Sequence, residues 1–386
     1  EQTKELLQAL DEDITFYVLA DKNAEDAVVE KTLAQYKDLS KHIKIEYRDQ
    51  SLYPDFTSAY TSESLSAGSI IVEGQKRSKV IPYEELYETE LDYNTYSETT
   101  TGYDGEGQLT SAIDYVTNDS LSKMYILSGH NETDLPGALL SAIEKKNLET
   151  EVINLINYDT IPEDAACIFI AAPLSDYSAE DAAKVQDYME AGGKAIVISS
   201  YSEEPLPNFA SIWSHYGITL TDGIIVEGSQ NHYTQNPYYL LPDISSSTVT
   251  SSLYGANRYI FMPYAQGMTL DSELRDTLSV EEILTTSEQA YSKTDTAHME
   301  TYKKEDNDVA GPFALGAYIT ESIGDNQTKL LYLTTANVIQ ESVNATVSGA
   351  NYELIINALG DMTEQEVSSF VPVKNYSTEL LTVTGS

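Results

Sequence analysis

The chain has 386 residues, of which 41% are hydrophobic, and this is enough to build the cores of two or three domains. It carries 22 Lys and Arg against 62 Asp and Glu, a formal net charge of −40. So large a negative charge repels phosphates, which excludes nucleic-acid binding by phosphate neutralisation. It also repels anionic headgroups, which argues against docking on anionic lipid. The single cysteine, Cys167, excludes an intrachain disulfide and a multi-cysteine metal site.

The first predicted domain, residues 1–119, begins with a β-α-β unit. Residues 14–20 are almost continuously apolar, which is typical of a strand buried on both faces. Asn23 is expected to cap the helix that follows, because an Asn side chain can accept from the first free backbone N–H groups. The remaining predicted elements are a helix to residue 39, a strand at 43–47, a hairpin of strands 69–73 and 79–81, and a helix at 109–116.

Residues 83–107 lack a clear hydrophobic period and are rich in Tyr, Thr, Glu and Gly. They predict a long exposed loop. The glycines at 102–107 do not have the spacing of a dinucleotide-binding fingerprint. Tyr103 in this loop is a candidate for ligand contact, because tyrosine offers an apolar face with a polar tip and the chain holds 29 of them.

The second predicted domain, residues 120–386, alternates strands and helices. Predicted strands lie at 123–127, 151–155, 166–171 and 194–198. One predicted helix covers 135–146, and a second begins with a capping-box-like segment at 178–181 and runs to Gly192. This alternation predicts an open, mostly parallel sheet with helices on both faces. From about residue 227 the pattern loosens, and we expect an irregular α+β extension there. The predicted fold class is therefore α/β, with this irregular extension at the C-terminal end of the second domain.

The usual catalytic and metal-binding motifs are missing from the sequence. It contains neither a Gly-x-Ser-x-Gly nucleophile motif nor a Walker A loop. Cys167 lies within a predicted core strand, where burial makes a thiol inert. We expect no metal and no cofactor, since no metal-binding spacing joins the five histidines, which are His42, His130, His215, His232 and His298.

An acidic turn at Glu305–Asp308, followed by Gly311, is similar to an oxygen-ligand loop for calcium. It lacks the bidentate glutamate that such loops place at a fixed distance. The sequence therefore favours a solvated charged turn over an ion site.

The most suggestive local feature is the segment Gly129, His130, Asn131 and Glu132, directly after the predicted strand 123–127. Open α/β sheets bind ligands at the carboxyl ends of their strands, so these residues are a candidate interaction site. A purely structural alternative stays open, in which Gly129 makes the turn and Glu132 helps to cap the next helix. A catalytic role for His130 and Glu132 as an acid–base pair is the third hypothesis.

Several short motifs, in the same order along the chain, resemble the GldG-like auxiliary components of bacterial ABC-type transport systems. The turn at 129–132 resembles the Gly-His-Gly-Glu turn of that family, with Asn131 in place of the second glycine. The other matching segments are Thr15-Phe-Tyr-Val-Leu-Ala, Ile45-Glu-Tyr-Arg-Asp, Ala67-Gly-Ser-Ile-Ile-Val-Glu-Gly, Glu106-Gly-Gln-Leu-Thr-Ser-Ala-Ile, Asn236-Pro-Tyr-Tyr-Leu-Leu-Pro and Ile260-Phe-Met-Pro.

The resemblance implies an extracytoplasmic domain anchored by membrane helices on either side of this sequence. Its partners would be an ABC permease and a separate ATPase subunit. It also implies a thioredoxin-like first domain and a second domain like flavodoxin or class I glutamine amidotransferases. Because the sequence has no Cys-x-x-Cys, we expect no redox chemistry. The leading hypothesis is a non-enzymatic auxiliary domain. The alternatives are a module that binds glycan or peptide through Tyr103 and the His130 turn, and a hydrolase using His130 and Glu132.

Overall fold

The computed structural model describes residues 2–20, 26–61, 64–92, 97–118, 121–144, 146–271, 274–296, 302–324, 326–363 and 374–375. These residues form two compact units. The first contains the described residues up to Leu121 together with Lys374–Asn375, and the second begins at Ser122. The division lies two residues beyond the predicted one at 119. The assignment of the whole C-terminal segment to the second domain is wrong for Lys374–Asn375, which pair with a strand of the first unit.

The first unit contains three α-helices and seven strands within its described residues. The helices are α1 (Gln2–Ala9), α2 (Ala27–Leu39) and α3 (Gly105–Thr117). The strands are β1 (Ile14–Val18), β2 (Ile43–Tyr47), β3 (Ile70–Glu73), β4 (Ser78–Ile81), β5 (Tyr87–Asp92), β6 (Ser97–Tyr103) and the late β22 (Lys374–Asn375).

A four-stranded sheet of order β2-β1-β3-β4 forms the centre of the first unit. β1 and β2 are parallel and are joined by α2, whereas β3 and β4 form an antiparallel hairpin beside β1. The cap of α2 is Asp26, whose carboxylate accepts the backbone N–H groups of Val28 and Val29 at 2.8 and 3.4 Å. Asn23, the predicted cap, lies outside the described residues.

The prediction of a long exposed loop at 83–107 is wrong. A short 3-10 helix at Tyr83–Leu86 leads into β5, and β5 pairs with β6 in an antiparallel hairpin. Strand β22 adds to the other side of β6, and α3 already begins at Gly105. The polar composition of this segment concealed its strands, since Thr- and Glu-rich strands give no apolar alternation to recognise.

The second unit contains five α-helices and fifteen strands within its described residues. The helices are α4 (Gly137–Glu144), α5 (Ala179–Glu190), α6 (Pro207–Ser214), α7 (Glu341–Thr346) and α8 (Ala350–Met362). The strands are β7 (Ser122–Ser128), β8 (Leu148–Asn154), β9 (Ala165–Ala171), β10 (Lys194–Ile198), β11 (Ile218–Leu220), β12 (Ile224–Val226), β13 (Tyr239–Leu240), β14 (Asp243–Ile244), β15 (Met262–Pro263), β16 (Met268–Leu270), β17 (Leu278–Thr285), β18 (Tyr291–Lys293), β19 (Val309–Ala310), β20 (Ala314–Ile323) and β21 (Asn326–Leu333).

The described residues of this unit build a ten-stranded mixed sheet. Five adjacent strands are parallel, in the order β8-β7-β9-β10-β21. The antiparallel strand β20 follows β21, and β16, β17 and their neighbours extend the sheet from there. The unit is therefore mixed α/β, as the alternation of apolar strands and helices predicted.

The parallel strands are buried on both faces. In β9, Cys167 and Phe169 belong to one core layer, and Ile168 and Ile170 belong to the other. Helices α4 and α8 pack on the first layer, whereas α5 and α6 pack on the second. This two-sided covering explains why the parallel strands read as continuous apolar runs in the sequence.

The expected irregular extension after residue 227 is only partly observed. The polar stretch at 229–259 is largely irregular, but the chain then returns to the large sheet through β16, β17, β20 and β21. Strand β21 pairs with β10 in parallel from Lys194 opposite Lys329 to Ile198 opposite Leu333. The last third of the chain therefore supplies an interior strand of the sheet.

Candidate functional site

The segment 129–132 lies where the order of the parallel strands reverses. From β7 the chain crosses to β8 on one side, and from β9 it crosses to β10 on the other. The loops that follow the neighbouring strands β7 and β9 therefore diverge at this edge of the sheet. Such a reversal is the usual ligand-binding position of an open α/β sheet.

The backbone of the turn depends on Gly129. Its φ is +119°, and a Cβ at this position would lie 2.8 Å from Oδ1 of Asn154. A side chain here would be both strained and obstructed. The carbonyl of His130 then accepts the backbone N–H groups of Leu174 and Ser175, each at 3.0 Å. The turn after β7 is thus tied to the loop after β9.

The imidazole of His130 is enclosed by other side chains. It stacks on the ring of Tyr177, with centroids 3.9 Å apart and planes inclined by 23°. Its Nδ1 lies 3.4 Å from Oε1 of Glu132, and its Nε2 lies 3.3 Å from Oδ2 of Asp181. The side chain of His130 is only 11% exposed. A carboxylate therefore lies near each nitrogen of the ring, and a phenol covers one of its faces, although Nδ1 makes no hydrogen bond within the described residues.

Both carboxylate oxygens of Glu132 accept hydrogen bonds from groups of the cluster. Its Oε2 accepts the backbone N–H of His130 at 2.7 Å, and its Oε1 accepts the Tyr177 hydroxyl at 3.4 Å. Burial, together with the negative charge of Glu132, raises the pKa of Tyr177 well above its ordinary value. Tyr177 therefore stays protonated and remains a donor to the carboxylate.

Asp181 and Lys184 complete the cluster from the first turns of α5. The side chain of Ser178 caps this helix by accepting the backbone N–H of Asp181 at 3.0 Å. Lys184 Nζ donates to Oδ1 of Asp181 at 3.2 Å and to the carbonyl of Leu155 at 3.0 Å. Burial opposes the charged form of Lys184, but its hydrogen bonds to Asp181 and Glu180 outweigh this and raise its pKa. An ammonium thus stabilises the Asp181 carboxylate.

The cluster has few of the features of catalysis. His130 and Glu132 are enclosed by groups of the protein, and Glu132 already accepts two hydrogen bonds. Cys167 lies inside β9, where burial raises the pKa of its thiol to about 12. Among the described residues, no group of three or more His, Cys, Asp or Glu could hold a metal ion. The geometry is that of a polar connection between two loops.

The structure brings Gly129, His130 and Glu132 together in this cluster. Asn131 adopts a left-handed φ of 56°, and its Nδ2 donates to Oγ of Ser175 at 2.5 Å. Tyr103 belongs to the first unit, where it is 4% exposed and its hydroxyl donates to Oγ1 of Thr32 at 2.9 Å. The exposed aromatic face on which its predicted ligand contact depended is therefore absent.

The sequence reasoning missed Tyr177, Asp181 and Lys184. Residues 178–181 were recognised only as the start of a helix, and nothing linked them to His130. The available signal was their position after the apolar strand β9. It becomes informative once β7 and β9 are known to be neighbours, and that order is a property of the fold.

The acidic turn at Glu305–Asp308 binds the side-chain ammonium of Lys293. Lys293 Nζ is fully buried, and it lies 2.6 Å from Oε2 of Glu305 and 3.5 Å from Oδ2 of Asp308. Asp308 also accepts the backbone N–H groups of Thr294 and Glu305. The positive charge of the Lys293 ammonium therefore offsets the carboxylates of Glu305 and Asp308. His298, which was counted among the candidate metal ligands, lies outside the described residues.

Neither a protein-family model nor a curated protein matches the chain significantly. Among solved structures, the chain is similar to the N-terminal domain of mmIFT52, with a TM-score of 0.46 and 12% identity, over 64% of this chain and 99% of that one. It is also similar to a chain of PurLQS from Thermotoga maritima, with a TM-score of 0.31 and 11% identity, over 63% of this chain and 99% of that one. No described helix is long and apolar enough to cross a bilayer. At this level of similarity, the comparisons do not assign the chain to a family.

Proposed function

We propose that this chain is a non-enzymatic binding domain, an extracytoplasmic auxiliary component of a bacterial ABC transport complex. The observation that carries the proposal is the closure of the site around His130. At the position where open α/β sheets usually bind a ligand, the ring of Tyr177 and the carboxylates of Glu132 and Asp181 already surround the imidazole. Because side chains of the protein itself fill this position, we infer that this edge of the sheet functions through contact with a partner at its surface.

The rim of the closed site supports contact with another protein. Leu174, which follows β9, is 55% exposed, and Ile156, which follows β8, is 78% exposed. Exposed apolar side chains beside a rigid polar cluster suit the centre of a protein interface. The ordered sequence resemblance to GldG-like components supports the nature of the partner, a permease with its ATPase subunit, and the anchoring of this domain by membrane helices.

The strand arrangement of each unit supports the finer fold assignment within this proposal. The β-α-β unit followed by a hairpin and a helix supports a thioredoxin-like first unit. The order β8-β7-β9-β10-β21 corresponds to 2-1-3-4-5 among the parallel strands in chain order, which is the order of flavodoxin-like sheets. In this proposal, both units act as contact surfaces for partner proteins.

Affinity purification of the full-length protein from detergent-solubilised native membranes tests the function. We expect mass spectrometry to recover an ABC permease and its ATPase. Leu174→Asp and Ile156→Asp should reduce this recovery at least tenfold. Ile323→Asp is the matched control, because Ile323 is 53% exposed but is the last residue of β20, next to the start of β21 and so at the opposite end of the parallel strands. Recovery of the protein without any ABC subunit would contradict the proposal, and so would equal losses in all three variants.

A further inference from the structure

A cluster of tyrosines on the second unit lies outside the His130 site. The short antiparallel pair β13 and β15 holds its two loops together, with Tyr239 opposite Pro263 and Leu240 opposite Met262. Tyr238 precedes Leu240 in the first loop, and Tyr264 follows β15 in the second. The backbone N–H of Tyr264 donates to the carbonyl of Tyr238 at 2.9 Å. The two tyrosines are therefore fixed relative to each other by main-chain bonds.

Two exposed rings lie against a buried one, and we name Tyr238, Tyr264 and Tyr302 the tyrosine platform. Tyr264 stacks on Tyr238 with centroids 5.9 Å apart and planes inclined by 16°, whereas Tyr302 tilts against Tyr238 at 5.4 Å. Tyr264 is 41% exposed, Tyr302 is 52% exposed and Tyr238 is 3% exposed. The buried ring thus supports two aromatic surfaces that face solvent.

Both exposed rings are held in place. The hydroxyl of Tyr302 accepts from Nδ2 of Asn236 at 3.1 Å, and its carbonyl accepts from the hydroxyl of Tyr291. Tyr264 adopts a left-handed φ of 54°, and its ring meets Tyr239 edge-on at 5.6 Å. A strained backbone that is kept in place by its surroundings is more common at ligand-binding positions than elsewhere. The platform is therefore preorganised.

A second observation points to a ligand. The hydroxyl of Tyr238 is buried and has no hydrogen-bond partner among the described residues, although buried polar groups are nearly always paired. Tyr238 packs with Tyr291 of β18, and Nζ of Lys293 in the same strand lies 3.5 Å from Oδ2 of Asp308. Strand β18 thus connects the tyrosine platform to Asp308.

Asp308 also lines a cavity of about 370 Å³. This is near the lower end of the range for small-ligand clefts, roughly 300–1,000 Å³. The other lining residues are polar and are Thr294, Asp295, Glu305, Asp306 and Asn307. Aromatic faces and a polar cleft rich in carboxylates therefore adjoin each other.

We propose that the tyrosine platform and the adjoining cavity bind a neutral oligosaccharide. A sugar ring presents C–H groups on its faces, which pack on the electron-rich faces of Tyr264 and Tyr302. Its hydroxyl groups can donate hydrogen bonds to the carboxylates of Asp295 and Asp306. The amide of Asn307 can both donate and accept. The net charge of −40 disfavours an acidic polysaccharide.

A proline-rich peptide is the other class of ligand that docks on exposed aromatic rings. It presents mainly carbonyl acceptors, because proline has no backbone N–H. The carboxylates of Asp295 and Asp306 can only accept hydrogen bonds when ionised, so they suit hydroxyl groups better than this peptide. The site does not depend on the transporter role, and each proposal can fail without the other.

Electrophoresis of the whole protein through native gels that contain mannan, arabinoxylan, laminarin, dextran or hydroxyethyl cellulose tests the proposal. Calorimetry with the hexasaccharide of the retarding polymer then gives a Kd. Tyr264→Gly removes a ring and also suits the left-handed backbone, while Tyr302→Ala removes the other ring. We expect each variant to weaken binding about 5- to 10-fold, and Tyr238→Phe about 5-fold.

Tyr254→Ala is the matched control, because Tyr254 is 54% exposed and does not belong to the platform. Its Kd should stay within about twofold of the original protein. Circular dichroism confirms that each variant is folded. The proposal is overturned if none of the polymers retards the protein, or if the ring deletions weaken binding no more than Tyr254→Ala does. Platform-dependent binding of a proline-rich peptide with no binding of sugars would also overturn it.

Discussion

The ring of His130 stacks on the ring of Tyr177 at a centroid distance of 3.9 Å, and this contact joins the loops that follow β7 and β9. Replacing His130 with Ala removes the stacking and leaves the buried carboxylates of Glu132 and Asp181 without the ring between them. We expect a loss of about 3 kcal/mol in the free energy of unfolding of the second unit. Urea unfolding followed by the fluorescence of Trp213 measures it, because the only tryptophan of the chain is buried in this unit.

His215→Ala is the control for this substitution, since the side chain of His215 is 37% exposed. It should change the stability by less than about 0.5 kcal/mol. An unchanged unfolding midpoint in His130→Ala would show that the cluster does not hold the two loops together, and it would reopen a functional role for an accessible imidazole.

The environment of Glu321 predicts that the free energy of unfolding of the second unit depends on pH. Arg275 donates to both of its carboxylate oxygens, at 2.6 and 2.7 Å, and Thr277 donates to one of them at 2.8 Å. The hydrogen bond from Arg275 is the main cause that lowers the pKa of Glu321 below its usual 4.5. Because the folded pKa is the lower one, this stabilisation is complete above pH 4.5 and is lost as the pH falls through the folded pKa.

Urea midpoints at pH 7 and pH 3 test this dependence. Between these values Glu321→Gln should lose less stability than the original protein, because the amide has no proton to gain. Glu163→Gln, at an exposed residue, should follow the original protein. Parallel pH curves for the original protein and Glu321→Gln would contradict the prediction.

Cys167 should resist thiol reagents in the folded protein. Its side chain is buried in β9, and with a pKa of about 12 only about one thiol in 10⁴ is ionised at pH 8. Ellman's reagent should therefore label it in urea and leave it unlabelled under native conditions for hours. Rapid native labelling would show that the sheet opens locally at β9.

Tyr103→Phe should destabilise the first unit by about 1 kcal/mol, because the hydroxyl loses its buried hydrogen bond to Thr32. Tyr53→Phe is the control, since Tyr53 is 54% exposed. Differential scanning calorimetry resolves the change. Equal stability of the two variants would indicate that Tyr103 is more accessible than the structure shows.

Lys293→Met should destabilise the second unit by about 3–5 kcal/mol, because it leaves the buried carboxylate of Asp308 without its cation. Calcium added to the original protein should not change its melting temperature, since the ammonium already occupies the turn. A melting temperature that rises with calcium concentration would contradict this assignment.

The sequence was most informative where strands are buried on both faces. Residues 166–171 and 194–198 were predicted as strands because their apolar runs are continuous, and β9 and β10 lie at these positions. The hairpin of β5 and β6 was missed, because its strands are built largely from Thr, Ser and Glu, residues that also compose loops. The hydrophobic pattern of the sequence therefore identifies buried strands well, but it does not reveal strands whose side chains are mostly polar.

The candidate site was half predictable for a similar reason. His130 and Glu132 follow a strand whose carboxyl end could be recognised locally, so they were found. Tyr177 and Asp181 lie more than 40 residues later, and their proximity depends on β7 and β9 being neighbours. No local pattern encodes that adjacency, because strand order is decided by the packing of the whole sheet.

The late position of β21 has a consequence for how the second unit folds. The chain leaves the parallel part of the sheet at Ile198 and returns at Asn326, 128 residues later by subtraction. Until that return, β10 is a hydrophobic edge strand without its second neighbour, and exposed edges of this kind promote aggregation. Contacts so distant in sequence slow folding. During synthesis this unit must therefore remain incomplete until its last third has emerged, and it would depend on protection from self-association over that interval.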